Sequence, residues 1–188
     1  MSFDDIKKGI LWKMHNLDKS HKKSIDEKIR KLCEIINEKN NYVTTSSCSG
    51  RISVTKHKET KSPNAWIFKS HDKISVKDLL NLELPEDLCL LKMESAILHV
   101  ACDSIDSAKK LLNIARECGF KRSGIISIKP NKKVIEILST ESLAVPFSKD
   151  GTLLVSKEYL ELCVDLANKK LERTHEKIKK LEEAVKTI

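Results

Sequence analysis

Eight consecutive residues, Thr44-Thr45-Ser46-Ser47-Cys48-Ser49-Gly50-Arg51, hold five hydroxyls, a thiol, a glycine and an arginine. They lie between two β-prone runs, Tyr42-Val43 and Ile52-Ser53-Val54. Hydroxyls and backbone donors at this density suit a ligand rich in charge. Gly50 permits φ > 0 and close backbone approach, and Arg51 offers a planar fork for a carboxylate or phosphate. The same composition also suits a hairpin whose serines and threonines cap their own backbone. Three more groups could carry chemistry. In Trp66-Ile67-Phe68-Lys69-Ser70-His71, alternation puts Trp66 and Phe68 on one face and His71 at the strand end. Strand-end loops are where reactive groups are usually presented, and an aromatic face can stack on a base. Buried aromatics beside a surface histidine would produce the same string. Glu94 sits between two apolar runs, and His99 interrupts the second, as a ligand or as a satisfied core histidine. Phe120-Lys121-Arg122-Ser123-Gly124 has the makings of an anion-binding turn, though such loops also occur without a ligand.

The elements that must position these groups follow from pattern. Ser24-Ile25-Asp26-Glu27 reads as a capping box, followed by Ile25, Ile29, Leu32, Cys33 and Ile36 at helical spacing to about Asn40-Asn41. Strands flank the octapeptide, and a third covers Ala65 to Phe68. Ser75-Val76-Lys77-Asp78 opens a short helix ending before Pro85. Strands are expected over Cys89 to Met93 and Ala96 to Cys102. Ser104 caps a helix with Ala108, Leu111, Leu112 and Ala115 inward, stopped by Gly119. Strands at Gly124 to Ile128 and Val134 to Leu138 meet at a Pro130-Asn131 turn, and Asp150-Gly151 marks another. A helix of about 30 residues starts at Lys157. Its stripe is Leu160, Cys163, Ala167, Leu171, Thr174, Ile178, Leu181 and Val185, and its outer face of mixed charge is solvated. The expected class is α+β: a mixed, largely antiparallel sheet covered by helices. It forms a single domain over 1–188, with a basic segment at 1–23 and the long helix over 156–188 packing on the domain or on a partner. A homodimer is therefore one expected assembly.

Composition narrows the field. The 188 residues carry a net charge of +8 with 40% hydrophobic and 33% charged residues, enough chain to bury roughly 70% of its unfolded surface. Residues 1–31 carry +4, 51–77 carry +5 and 119–133 carry +5. If the fold brings these segments together, they form a patch for a polyanion whose affinity falls steeply with salt. No apolar run approaches the ~18 residues that span a bilayer, and the N-terminus lacks a signal-peptide pattern, so a cytoplasmic location without membrane attachment is expected. The six cysteines contain no CxxC pair. Cys33, Cys102, Cys118 and Cys163 fall on apolar stripes and read as structural thiols, with no metal site; Cys48, inside the polar octapeptide, is the exception. Five glycines and no GxGxxG or P-loop spacing rule out the usual glycine-rich nucleotide turn.

At these residues the chain resembles the tRNA wybutosine-synthesising protein 3 family. The resemblance rests on Asp18-Lys19-Ser20 with Ser24-Ile25-Asp26, on Tyr42 through Ile52, and on Trp66-Ile67-Phe68-Lys69-Ser70-His71. It continues through Ile97-Leu98-His99-Val100-Ala101-Cys102, Ala108 to Gly124, Ser139-Thr140, Val145-Pro146, Asp150-Gly151 and Val155-Ser156. It implies an S-adenosylmethionine-dependent methyltransferase outside the Rossmann class. That enzyme would act on N4 of the 7-(3-amino-3-carboxypropyl)-4-demethylwyosine base at position 37, in the anticodon loop of phenylalanine tRNA. In-line methyl transfer needs positioning above all. On this resemblance Ser46, Ser47, Ser49, Gly50, Arg51, His99, Ser123 and Gly124 are expected to bind the cofactor. Trp66, Lys69, Lys73, Lys121, Arg122 and Lys19 would bind RNA, with Trp66 stacked on the tricycle, and His71 or Asp18 would accept the N4 proton. Two rivals remain open: a non-catalytic module presenting tRNA to a partner enzyme, and a small-molecule transferase with an incidental basic patch.

Overall fold

A computed structural model describes residues 2–16, 25–57 and 66–188. Asp18, Lys19, Ser24 and Ala65, each singled out above, lie outside the described residues. In chain order the elements are α1 (Phe3–Asn16), α2 (Glu27–Glu38), β1 (Tyr42–Cys48), β2 (Arg51–Lys56), β3 (Trp66–Ser70), α3 (Val76–Leu80), β4 (Cys89–Glu94) and β5 (Ile97–Cys102). They continue with α4 (Ile105–Glu117), β6 (Gly124–Lys129), β7 (Lys132–Leu138), β8 (Ser142–Lys149), β9 (Thr152–Leu153) and α5 (Lys157–Val185). The class is α+β, as expected. The strands form two sheets rather than one, and every pairing among the described residues is antiparallel.

The chain divides into two compact units. The first comprises Met1–Ser49, Ala96–Thr140 and His175–Ile188. Its sheet has strand order β1-β5-β7-β6. Strands alternate their side chains between faces, so Leu98, Val100, Ile135 and Ile137 meet Ile29, Leu32 and Ile36 of α2 and Leu111 and Leu112 of α4 in one core. α4 starts as its sequence requires: the Ser107 N–H donates to Ser104 Oγ at 3.1 Å. It ends at Gly119, whose φ of +98° supplies the left-handed stop. α2 begins at Glu27 with Asp26 as N-cap; the Asp26 carboxylate makes no cap bond to its own helix and accepts from the Ser49 N–H at 2.9 Å.

The second unit comprises Gly50–Ser95 and Glu141–Thr174, with strand order β3-β2-β4-β8-β9. Ile52, Val54, Leu91, Met93 and Phe147 pack with Leu79 of α3 and Leu160, Val164 and Leu171 of α5. α3 opens after Ser75 as expected, and the Ser75 N–H and hydroxyl donate to Asp78 Oδ2 at 2.6 and 2.8 Å. The turn between β8 and β9 places Asp150 at φ +51° and Gly151 at +70°, as a two-residue hairpin demands.

Three elements, α1, β8 and the short β9, exceed the sequence reading. α1 forms where the sequence reads only as basic chain. β8 runs straight through Pro146, which sits opposite Leu90 beside a bulge in the pairing, a position sheets tolerate for proline. The stripe on α5 is buried at all eight predicted positions. Leu160, Cys163, Ala167 and Leu171 belong to the second core, and Ile178, Leu181 and Val185 to the first. No helix of the described residues is long and apolar enough to cross a membrane.

None of the six cysteines is joined in a disulfide. Burial pushes the Cys33 thiol up to about 11, against a partly offsetting hydrogen bond from Ser47, and pushes Cys102 up to about 12. Both are fully buried. A thiol reagent at pH 8 should therefore leave both unmodified in the native protein and label them only on unfolding, since the thiolate is the reactive form. Mass spectrometry of labelled peptides checks this; rapid native labelling of either would contradict the packing described.

Candidate functional site

The octapeptide is not a hairpin. β1 continues through Cys48, and β2 starts at Arg51 in the other sheet. Threonine tolerates strand geometry, and β5 supplies β1 with a complete antiparallel partner, so only Ser49 and Gly50 remain as link. Each hydroxyl then has a definite destination. Thr44, 1% exposed, is held by Asn37 of α2, with its N–H 2.8 Å from Asn37 Oδ1. Thr45 sits at a bulge and donates to the His99 carbonyl at 3.3 Å. Ser47 turns to the Cys33 thiol. Ser49 is buried and gives both its N–H and its hydroxyl to Asp26. Ser49 thus spends its polar groups on the fold.

Ser46 differs. It is exposed and stands in register with His99, which is in register with Glu136, which is in register with Gly124. One row crosses all four strands of the first sheet. Ser46 Oγ lies 2.8 Å from His99 Nδ1, and His99 Nε2 lies 3.0 Å from Glu136 Oε1. A carboxylate only accepts, so Nε2–H donates to Glu136, and in the neutral ring Nδ1 accepts from the Ser46 hydroxyl. His99 is accordingly a satisfied, half-buried histidine on a solvent-facing sheet surface. Nothing lies within 4 Å of where a Cβ on Gly124 would stand, so the backbone is open at the end of the row. Hydroxyl, imidazole, carboxylate and bare backbone make up a donor and acceptor set suited to a zwitterionic amino-acid group or a vicinal diol. Glu136 escaped the sequence reading. Its signal was the lone charge in the alternating Val134-Ile135-Glu136-Ile137-Leu138, but its partner is 37 residues away.

Ser123 is 5% exposed. Its hydroxyl donates to the Phe120 carbonyl at 2.7 Å and accepts from the Leu138 N–H at 3.0 Å, which locks the loop after α4. Both hydrogen-bonding roles of Ser123 are therefore used inside the protein. Lys121 and Arg122, on the same loop, are exposed.

The second unit gathers the other candidates. Arg51 Nε donates to Glu94 Oε2 at 2.7 Å across paired strands. Its guanidinium carbon also lies 4.5 Å from the centroid of the Trp66 ring, and Lys69 Nζ lies 5.8 Å from it. Arg51 thus has both a carboxylate and an aromatic face beside it, and Trp66 remains 42% exposed. Lys69 and Lys92 are both in register with Ser53, so this sheet face carries cations beside an indole. His71 follows β3, with Nδ1 2.8 Å from the Gly50 carbonyl. A carbonyl only accepts, so Nδ1 carries the proton and the lone pair of the neutral ring is on Nε2. Gly50, at φ +92°, aims that carbonyl. Lys73 pairs with Glu172 at 2.9 Å, with both side chains more than half exposed; such a pair costs little to part.

The pattern of the family described as Methyltransferase TYW3 matches residues 5–187. A protein of Thermococcus sibiricus named tRNA(Phe) 7-((3-amino-3-carboxypropyl)-4-demethylwyosine(37)-N(4))-methyltransferase is 38% identical over 100% of this chain and 96% of its own length. A Xenopus laevis protein named tRNA wybutosine-synthesizing protein 3 homolog is 36% identical over 89% of this chain and 70% of its own. The solved structure of the PH1069 protein from Pyrococcus horikoshii superposes with a TM-score of 0.90 at 37% identity, covering 98% of this chain and 96% of that one.

Proposed function

We propose, for a chain that belongs to the methyltransferase TYW3 family, that it methylates N4 of the 7-aminocarboxypropyl-demethylwyosine base at position 37 of phenylalanine tRNA, with S-adenosylmethionine as methyl donor. The observation that carries this reading is the match over essentially the whole chain to relatives named for that reaction. Such an enzyme works where tRNA is modified, in the cytoplasm.

The residues present fit the donor. Its amino-acid end and its ribose call for the set that Ser46, His99 and Glu136 offer beside the open backbone of Gly124. When bound, it supplies an electrophilic methyl group. The remaining work belongs to the chain's own side chains. Trp66, braced by Arg51 through Glu94, offers a flat face for the tricyclic base. Lys69, Lys73, Lys121 and Arg122 meet phosphates, the sequence-independent part of RNA affinity. His71 takes the N4 proton at Nε2, with its ring orientation fixed by the Gly50 carbonyl. Ser47, Ser49 and Ser123 contribute by holding β1 and the loop after α4 in place.

Two measurements on one sample test this. Calorimetry should show saturable binding of S-adenosylmethionine, and labelled methyl should pass to phenylalanine tRNA carrying the demethylated base but not to tRNA lacking the tricycle. Tight, salt-sensitive tRNA binding with no heat from the donor would instead favour a non-catalytic module that presents tRNA to another enzyme.

A further inference from the structure

We propose that the outer face of the N-terminal half of α5 is a self-association surface, on which a second copy of the chain docks with the two helices antiparallel about a twofold axis. This inference is independent of the methyl-transfer reading. A helix with one side in a core ordinarily turns a polar face outward. Here Tyr159, Leu162 and Leu166 recur three and four residues apart on the side away from the buried stripe, and are 46%, 53% and 40% exposed. Leu154, just ahead of the helix, is 54% exposed. Contiguous apolar surface of this kind is uncommon on a monomer unless it meets a partner.

Charge identifies the partner. The N-terminal end of the stripe is flanked by Glu158 and by Glu161, which pairs with Lys157 at 3.8 Å, and the C-terminal end by Lys169 and Arg173. Two parallel copies would set like charges together. An antiparallel pair centred between Leu162 and Leu166 sets Leu162 of each copy against Leu166 of the other, and the acidic end of each helix against the basic end of its mate. Tyr159 then meets the mate's Lys169, a favourable cation–aromatic contact. A stripe that complements itself under rotation is what a twofold interface requires. The Asp165–Lys169 pair that would rearrange has both side chains more than half exposed, so the rearrangement is cheap. Glu158, Glu161 and Asp165 on this surface repel nucleic acid, which separates it in kind from the cation-bearing sheet face around Trp66.

Sedimentation of the full chain decides the matter. An interface at the small end of the specific class should show a monomer–dimer shift between about 1 and about 200 µM. Leu162→Asp, at a solvent-facing position, should raise the dimer dissociation constant by at least about 30-fold, with helical content and single-turnover methylation preserved. Glu158→Lys should weaken the dimer, and Lys169→Glu added to it should restore part of the loss. A wild-type chain that stays monomeric over the whole range overturns the proposal. So does a dimer that both Leu162→Asp and Glu158→Lys leave unchanged, since it would use another surface.

Discussion

Replacing His71 with alanine is expected to slow methyl transfer by about 10²- to 10⁴-fold, the range by which positioned acid–base groups act, while tRNA affinity changes little. The base nitrogen carries a proton that must leave as the methyl group arrives, and a neutral imidazole is suited to take it. The local fold determines which nitrogen is basic: the Gly50 carbonyl, 2.8 Å from Nδ1, accepts that proton's hydrogen bond and leaves Nε2 with the lone pair. Gly50 holds its carbonyl there from a left-handed conformation that other residues adopt only at a cost. His71→Asn separates chemistry from architecture, because its amide can still donate to Gly50 but cannot accept a proton at neutral pH. Single-turnover methylation at saturating donor and tRNA is the measurement. Asparagine should be as slow as alanine; a fast asparagine variant would make His71 a structural residue, and two fast variants would remove it from the reaction.

Which parts of this site could be read from the chain depended on how far apart the partners lie. Local signals held. The Ser75 and Ser104 starts, the Gly119 stop, the Asp150-Gly151 turn and the α5 stripe each involve residues within a few positions of one another, and each appears in the fold. Non-local pairings were not legible. Whether the runs at Tyr42 and Ile52 pair with each other or with more distant strands is decided by β5 and β4, about 50 and 40 residues downstream. That decision turned an apparent hairpin into two sheets. Pro146 and the polar residues around it hid β8, and the lysines of the N-terminal segment hid α1.

The same distinction divides the candidate residues. Composition singled out Ser46, Ser47, Ser49 and Ser123 alike, because a hydroxyl looks the same in sequence whether it faces solvent or a buried carbonyl. Tertiary structure separates them: Ser46 opens onto the row with His99, whereas Ser49 and Ser123 are 0% and 5% exposed with internal partners. Arg51 reads in sequence as a fork for a ligand's carboxylate or phosphate; in the fold its Nε donates to Glu94, 43 positions along the chain. Glu136 was invisible for the corresponding reason, its role set by a histidine on a neighbouring strand.

Truncating Trp66 should weaken binding of the substrate tRNA by roughly 5- to 150-fold, equivalent to the ~1–3 kcal/mol that one base stacked on an aromatic ring contributes. Stability should hardly change, because the ring is 42% exposed. Trp66→Phe, which keeps a smaller face, should recover part of the affinity. Lys69→Ala should behave differently. Removing one phosphate contact weakens binding to every tRNA alike and lowers the slope of log affinity against log salt by about 0.7–0.9. Trp66→Ala should leave that slope unchanged and weaken tRNA carrying the tricyclic base more than tRNA with plain guanosine. Arg51→Ala tests the brace: without the cation 4.5 Å from the ring, the indole loses its fixed orientation, and the variant should show part of the Trp66→Ala loss. Filter binding of both tRNAs at several salt concentrations resolves the three variants. If Trp66→Ala bound both tRNAs as the wild type does, the exposed indole would not be the stacking platform, and this sheet face would be left with phosphate contacts alone.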